Sequence, residues 1–598
     1  MWEGLQAVRK EIQESVNTIH DNEEIHDGFQ LRFVGKSYAK FVTGLPSETV
    51  LVPDNDWNNQ ENNKDSQNIF ITGDNLDALK HLVNAYSGAI KMIYIDPPYN
   101  TGSDGFVYKD SFKFSDDDLK QKLGFSDTEL ARLRALDGKC SHSAWLTFML
   151  PRLILAKRLL SDDGVIFISI DDNEQANLKM LCDEVFGDNA LGVYIKQSKV
   201  GGGSDSKFVV KEHEYCLVYA KNQMCTDEMF IGHDEEYLRR YKEKDEKGSF
   251  FWDTFARPGL QLKAEETLIY DIVCPDGSVI KNRWIHSKER FLQEYEQGDV
   301  RIVKKNNGEW SVQFKQYLNL SGKKPRSMTM DFGGSVDGKN DLELLFKEDK
   351  VFGYPKSVKF LTRLLETVVD KDIIVLDFFA GSATTAHAVM QLNKDDGGNR
   401  KYIMVQWDEP VKAGSEAENQ GFKTIDEISR KRIKLAAEQI GDTSGFKHYK
   451  LAKVTDDLIL DKIDEFDPTK PNLLSDDMVS PFSGDALGTG LNASGLDTLL
   501  TTWMVDDGYP INTKMEEFKF GNYVAYSPVG SRRLYLISDG WDSNATQDLL
   551  NKIGRNEISV QTIIIYNHSF NFTMLTELKN NLKHVLDDDK KIEIIERF

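Results

Sequence analysis

Short apolar runs that each stop abruptly in a polar or proline-bearing loop, and are followed by helical periodicity, constrain this chain most. IFI (69–71) gives way to Gly73-Asp74 and then to a helix with Leu76, Leu79, Leu82 and Val83 on its apolar face. KMIYI (91–95) runs straight into Asp96-Pro97-Pro98-Tyr99, and AWLTFMLPRLILAKRLL leads to GVIFISIDD (164–172). Alternation of this kind predicts an α/β protein built on a parallel, Rossmann-like sheet. It lapses after EYCLVYAK (214–221), where the chain becomes rich in aromatic and basic residues. It resumes with SVKFLTRLLETVV (357–369), DIIVLDFF (372–379) and KYIMVQW (401–407). One sheet domain whose two halves flank an inserted domain accounts for the pattern.

Divided on that basis, the 598 residues comprise six parts. An N-terminal segment (1–53) precedes the first half of the sheet domain (54–221), which opens with the Asn-rich DNDWNNQENNKDSQN, read as a separating loop. The insertion (222–350) and the second half (351–455) follow, then a linker dense in Pro, Gly, Ser and Asp (456–495) and a small α/β domain (496–598). Leu5, Val8, Ile12, Val16 and Ile19 predict an amphipathic helix at the N-terminus rather than a secretion signal, and no run reaches the ~20 apolar residues of a membrane span. A cytoplasmic protein without membrane contact is expected. The five cysteines form no CxxC pair and no zinc-site spacing, which points to reduced structural thiols and no metal. A net charge of −22 argues against a nucleic-acid partner only if charge is spread evenly, and it is not. Residues 281–326 hold eleven Lys/Arg against five Asp/Glu, while 451–598 hold fourteen against twenty-four. Contact with nucleic acid therefore belongs in the middle of the chain.

Prolines at 97 and 98 cannot continue a strand, so DPPY is a stiff loop at a strand's carboxyl end, where open α/β sheets bind ligands. It offers two acceptors, the Asp96 carboxylate and the Pro97 carbonyl, beside the Tyr99 ring. Acceptors next to an aromatic plate fit an exocyclic amino group on a flat ring, as for a base drawn out of its stack. DFFAGSATTAHAV (377–389) is a strand ending in Asp377, a small-residue turn and a helix start, suited to close approach by a nucleotide-like cofactor. It is not GxGxxG, which weakens a hydride-transfer reading. VGKS (34–37) is no phosphate loop, because Gln30 stands where GxxxxGK needs glycine. Asp171-Asp172 is read as structural rather than as a metal pair.

These blocks together closely resemble the β-class N6-adenine DNA methyltransferases, in particular the modification (Mod) subunits of type III restriction–modification systems. The resemblance rests on ITGDNLDALKHL, KMIYIDPPYNTG, GVIFISIDDNE, HEYCLVYAK, GYPKSVKF and DFFAGSATTAHAV with YIMVQWDEP, in an order that puts DPPY ahead of the cofactor loop. It implies a catalytic pocket of Asp96, Pro97, Pro98 and Tyr99, and S-adenosylmethionine lined by Asp377, Phe378, Phe379, Ala380 and Gly381. It further implies Glu409 on the ribose, Lys356 and Ser357 near the methionine end, and Asp74 near the cofactor's adenine unless it is a turn acid. Ala383 stands where many relatives have Gly, a neutral change if that residue is already helical. The insertion takes the place of a target-recognition domain for double-stranded DNA, with Lys281, Arg283, Lys304 and Lys305, then Lys323, Lys324 and Arg326, as candidate contacts. A Mod homodimer, a separate Res helicase–nuclease and a partner-binding role for the acidic C-terminal domain are implied as well. The alternatives are an N4-cytosine or RNA amino-methyltransferase, or a catalytically silent DNA-binding subunit.

Overall fold

In the computed structural model, the described residues are 31–102, 119–120, 125–137, 141–198, 208–257, 268–330, 332–348, 350–453, 492–585 and 592–597. The amphipathic helix expected before residue 21, the glycine loop at 201–207 and nearly all of the 456–495 linker lie outside them. The chain forms two compact units, Met229–Pro325 and the remainder.

The larger unit is built in chain order from α1 (Lys36–Thr43), β1 (Thr49–Pro53), β2 (Ile69–Thr72), α2 (Asn75–Tyr86), β3 (Ile90–Ile95), α3 (His142–Leu159), β4 (Leu160–Ile170), α4 (Gln175–Phe186), β5 (Ala190–Gln197) and β6 (His213–Ala220). After the smaller unit, whose strands are numbered β7 (Glu243–Asp245) to β12 (Trp310–Tyr317), come β13 (Met328–Thr329), α5 (Ser335–Phe346), α6 (Val358–Glu366), β14 (Ile374–Asp377), α7 (Thr384–Asp396), β15 (Lys401–Gln406), α8 (Ile425–Ile440) and β16 (Lys447–Lys453). The strands lie in one sheet, in the order β1-β16-β2-β15-β14-β3-β4-β6-β5-β13. From β16 to β4 neighbouring strands are parallel. Residues Ile90–Ile95 are buried throughout, as expected of a strand covered on both faces, and each apolar side chain so buried stabilises by roughly 1.5–3 kcal/mol. Pro97 and Pro98 then end the strand. No helix among the described residues is long and apolar enough to cross a membrane.

Two features of this unit depart from the sequence reading. The Asn-rich stretch is not a separating loop, because its amides satisfy backbone groups 334 to 390 positions away in sequence. Asn58 exchanges hydrogen bonds with the carbonyl and N–H of His448, at 2.9 and 2.7 Å, and Asn68 accepts from the N–H of Tyr402 at 3.1 Å. It thereby fastens β1, antiparallel to β16, onto the sheet. Residues 326–350, grouped with the insertion by composition, belong to the larger unit. There β13 pairs with β5, and α5 accepts the Val358 N–H on Asp341 Oδ2 at 2.8 Å.

The C-terminal part begins with α9 (Gly495–Asp506), which packs on the sheet domain. Thr502 Oγ1 accepts from the N–H of Leu51 at 2.9 Å, and Tyr449 donates to the carbonyl of Ile511 at 3.1 Å. A five-stranded sheet, β17 (Met515–Phe520), β18 (Tyr523–Pro528), β19 (Arg533–Leu536), β20 (Thr562–Tyr566) and β21 (Glu593–Arg597), follows, with helices Ser543–Gly554 and Phe572–Val585. The smaller unit holds a four-stranded sheet, β11 (Val300–Lys304), β12 (Trp310–Tyr317), β8 (Gly248–Thr254) and β7 (Glu243–Asp245), and a hairpin of β9 (Ile269–Val273) and β10 (Val279–Arg283). Its core gathers Phe255, Trp284, Phe291, Val300 and Val312.

Candidate active site

β3 and β14 are adjacent parallel strands, so Asp96 and Asp377, remote in sequence, end side by side at the sheet's carboxyl edge. The proline loop after β3 is braced from behind. Trp145, on α3, donates its indole N–H to the carbonyl of Pro98 at 2.7 Å. Asn100 sits at φ 58°, a left-handed conformation asparagine tolerates, and donates to Glu174 Oε1 at 2.6 Å. Glu174 is fully buried and also meets His142 Nδ1 at 2.7 Å and Asn177 Nδ2 at 2.8 Å. The Pro97 carbonyl accepts no hydrogen bond among the described residues.

In front of the loop lies a charge cluster. Tyr99 donates its hydroxyl to Asp96 Oδ1 at 2.8 Å, and Lys356 Nζ stands 2.6 Å from the Tyr99 hydroxyl, 3.1 Å from Asp96 Oδ1 and 3.1 Å from Glu214 Oε2. Lys196, from β5, pairs in register with Glu214 on β6 and holds its ammonium 4.7 Å from the centre of the Phe360 ring. Burial raises the Asp96 carboxyl above the usual carboxylate range, with Lys356 opposing. Burial works against a charged Lys356, but Asp96 and Glu214 more than offset it and keep the ammonium protonated. Burial would likewise raise Glu214, and the two lysines overcome it. Burial and the neighbouring Lys356 bring Lys196 down to about 8.

The second loop is held by backbone bonds. Asp377 is buried, accepting from the Phe379 N–H at 3.0 Å and from the Thr385 hydroxyl at 2.5 Å, and burial carries its carboxyl up to about 7. Asn75 donates to the Phe378 carbonyl at 2.8 Å, the Ala380 N–H reaches Val405 O at 3.1 Å, and the Gly381 N–H reaches Gln406 Oε1 at 2.7 Å. Ser429 donates to the Gly381 carbonyl, and the buried Arg432 binds Ser382 Oγ at 2.8 Å and Thr384 Oγ1 at 2.5 Å. Gly381 takes φ 53°, which suits glycine. Ala383 takes φ 58°, so it is left-handed rather than already helical, and the condition under which the alanine reads as neutral does not hold.

Of the other residues named from sequence, Asp74 caps α2, accepting from Leu76 N–H at 2.8 Å, while its second oxygen lies 3.5 Å from Arg152 Nη2. Ser357 is fully buried as the cap of α6, and Glu409 is exposed beyond β15. Lys36 of VGKS is ion-paired to Glu184 at 2.7 Å, and Asp172 to Lys211 at 3.3 Å. In the smaller unit Lys304 lies 5.4 Å from the Trp310 ring centre, Lys324 lies 3.9 Å from that of Phe230, and Lys323 is bridged to Asp234 at 2.5 Å. Lys281 and Lys305 are exposed, Arg283 is half-buried at the end of β10, and Arg326 falls in the larger unit. Sequence reasoning does not single out Glu214 and Lys196; the signal for them is an ionisable residue next to the polar end of each of two otherwise hydrophobic strands. A cavity of about 730 Å³ opens at the opposite, amino-terminal ends of the strands, far from Asp96, and its Lys91 and Lys401 are paired with Asp163 and Asp372.

A DNA methylase family model (N6_N4_Mtase) matches residues 90–437, and the model for the type III EcoP15I C-terminal domain matches 494–592. The chain is 41% identical over 603 residues to the StyLTI Mod subunit of a type III restriction–modification enzyme from Salmonella typhimurium, covering 96% of this chain and 91% of the relative. The chain belongs to the type III Mod subunits. The EcoPI Mod subunit of Escherichia phage P1 is 35% identical and the EcoP15I Mod subunit of Escherichia coli 34%, each match covering 98% of this chain and 94% of the relative. This Mod subunit is accordingly a DNA methyltransferase that uses S-adenosylmethionine.

Proposed function

We propose that this Mod subunit methylates the N6 amino group of an adenine extruded from double-stranded DNA. The observation that carries the reading is the abutment of the Asp96–Tyr99 loop with the Asp377–Gly381 turn on neighbouring strands. Asp96 and the Pro97 carbonyl accept the two amino hydrogens while the Tyr99 ring stacks on the base, so the nitrogen lone pair is directed out of the ring plane. S-adenosylmethionine supplies an electrophilic methyl group. The residues present fit that cofactor. The turn is small-residued, Glu409 offers an exposed carboxylate to ribose hydroxyls, and both Asp377 oxygens are committed to holding the turn in shape. Asp74 and Ser357 are caps whose part is to fix the ends of α2 and α6, and Lys356 serves the base side of the pocket.

The smaller unit is assigned the reading of the DNA site, with Lys281, Arg283, Lys304, Lys305, Lys323 and Lys324 on phosphates and Arg326 beside it. A homodimer is the working form, acting in the cytoplasm with a Res helicase–nuclease, and the acidic C-terminal part supplies those protein contacts.

Expression of the chain alone, followed by sequencing of host DNA with a method that detects N6-methyladenine, tests the reading. N6-Methyladenine confined to one sequence motif, and lost with Asp96→Ala, is expected. N4-methylcytosine in its place, or no modified base despite binding of cofactor and DNA, overturns it.

A further inference from the structure

One of the two Asp96 oxygens a base could take is already in use. Asp96 Oδ1 accepts from Tyr99 and also faces Lys356, so an amino group arriving there competes with a buried cation. An ammonium left without a counter-charge in such a place is strongly disfavoured. Glu214 Oε2 stands at the same 3.1 Å from Lys356 Nζ. We propose that Glu214 is a positioning residue for methyl transfer, the alternate seat that retains the Lys356 ammonium when a base takes up Asp96. The proposal rests on Asp96 being the acceptor of the amino group.

Three further features support it. Only 12% of the Lys356 side chain and 20% of that of Glu214 is exposed, so water cannot replace the carboxylate cheaply. Lys196, the cross-strand neighbour of Glu214, brings a second cation, giving two lysines for two carboxylates whichever seat Lys356 takes. The Phe360 ring beneath Lys196 belongs to the helix that follows Lys356 directly, so both lysines are positioned by α6. The exchange has a chemical consequence. As the nitrogen–methyl bond forms, the methyl–sulfur bond breaks with its electron pair going to sulfur, and the amino nitrogen must shed a proton. With Lys356 drawn to Glu214, Asp96 is less neutralised and is the better acceptor of that proton, which then passes to solvent.

The test is a double-mutant cycle on the full chain, read as the single-turnover methylation rate at saturating S-adenosylmethionine and DNA. Glu214→Gln is expected to slow methylation roughly 10-fold or more in the natural background, with cofactor affinity and melting temperature unchanged. In a Lys356→Met background the same change is expected to alter the rate by less than about twofold, because Glu214 acts through Lys356. Should Lys356→Met not fold, Lys356→Gln supplies the second background. Glu214→Gln removes a carboxylate that faces Asp96 and leaves Lys356 to it, so its acid limb is expected at lower pH, and an unmoved limb overturns the proposal. Equal losses in both backgrounds, or a natural rate for Glu214→Gln, overturn it too. The methylated base is identified by mass spectrometry in every reaction. N4-methylcytosine from the natural chain would retire the adenine reading while the cycle still decides the role of Glu214.

Discussion

At the end of β3 the chain presents ionised side chains on a loop stiffened by two prolines, whereas at the end of β14 it presents backbone on a turn of small residues. Braced behind by Trp145 and Glu174, the first loop carries on its front face contacts a substrate could displace: the Tyr99 hydroxyl and the Lys356 ammonium on Asp96. The second is tied by groups no substrate displaces: the buried Asp377 carboxylate, Gln406, Ser429 and Arg432. A reacting partner that comes and goes needs replaceable contacts, while a cofactor cradle must keep its shape between turnovers. Substitutions in the two loops should therefore fail in different ways.

The largest expected effect is at the first loop. Asp96→Ala removes a hydrogen-bond acceptor from the reacting group and is expected to slow single-turnover methylation on the order of 10²–10³-fold, with the melting temperature nearly unchanged. Gly381→Val should do the reverse. A β-branched residue at φ 53° is strained by about 1–2 kcal/mol and would weaken cofactor binding, leaving the rate at saturating cofactor largely intact. Titration calorimetry and a cofactor-dependence curve separate the two.

A smaller effect concerns the helix that follows the second turn. His387 is buried without a partner for Nδ1, and burial, helped by Arg432, lowers its pKa to about 3. The unfolded chain takes up this proton near pH 6.5 and the folded chain does not until about 3, so stability falls as pH drops through that window. The loss is about 1.4 kcal/mol per pH unit within it. His387→Leu is expected to flatten the decline in melting temperature between pH 6.5 and 5; an unchanged slope would show that the imidazole is solvated. The smallest effect is Ala383→Gly. Relief of the left-handed strain is offset by a lost buried methyl and a more flexible unfolded chain, so thermal unfolding should shift by less than about 1 kcal/mol.

The strand ends were legible in the sequence because apolar runs stop sharply there, and DPPY and FFAGSATT lie where open sheets bind ligands. The elements that brace them were not. Glu214 and Lys196 sit within strands whose apolar majority reads as core, and only the β5–β6 register brings them to Lys356. The Asn-rich stretch looks like a linker by composition, because amides bonded to backbone groups of β16 leave no local signature. The conformation of Ala383 is hidden for a related reason: a helix start is visible in sequence, but the left-handed residue just before it is not. The insertion ends earlier than the lapse in strand–helix alternation suggests: residues after Pro325 already join the larger unit, through a two-residue strand and a helix that carry little periodic signal.

Cofactor affinity and single-turnover rate, measured side by side on Asp96→Ala and Gly381→Val, test most directly whether the two loops divide the work. The account predicts a crossed result: Asp96→Ala binds S-adenosylmethionine as the natural chain does yet scarcely transfers methyl, and Gly381→Val binds it poorly yet transfers at near-natural rate once saturated. Loss of affinity and rate in proportion in both variants would contradict it.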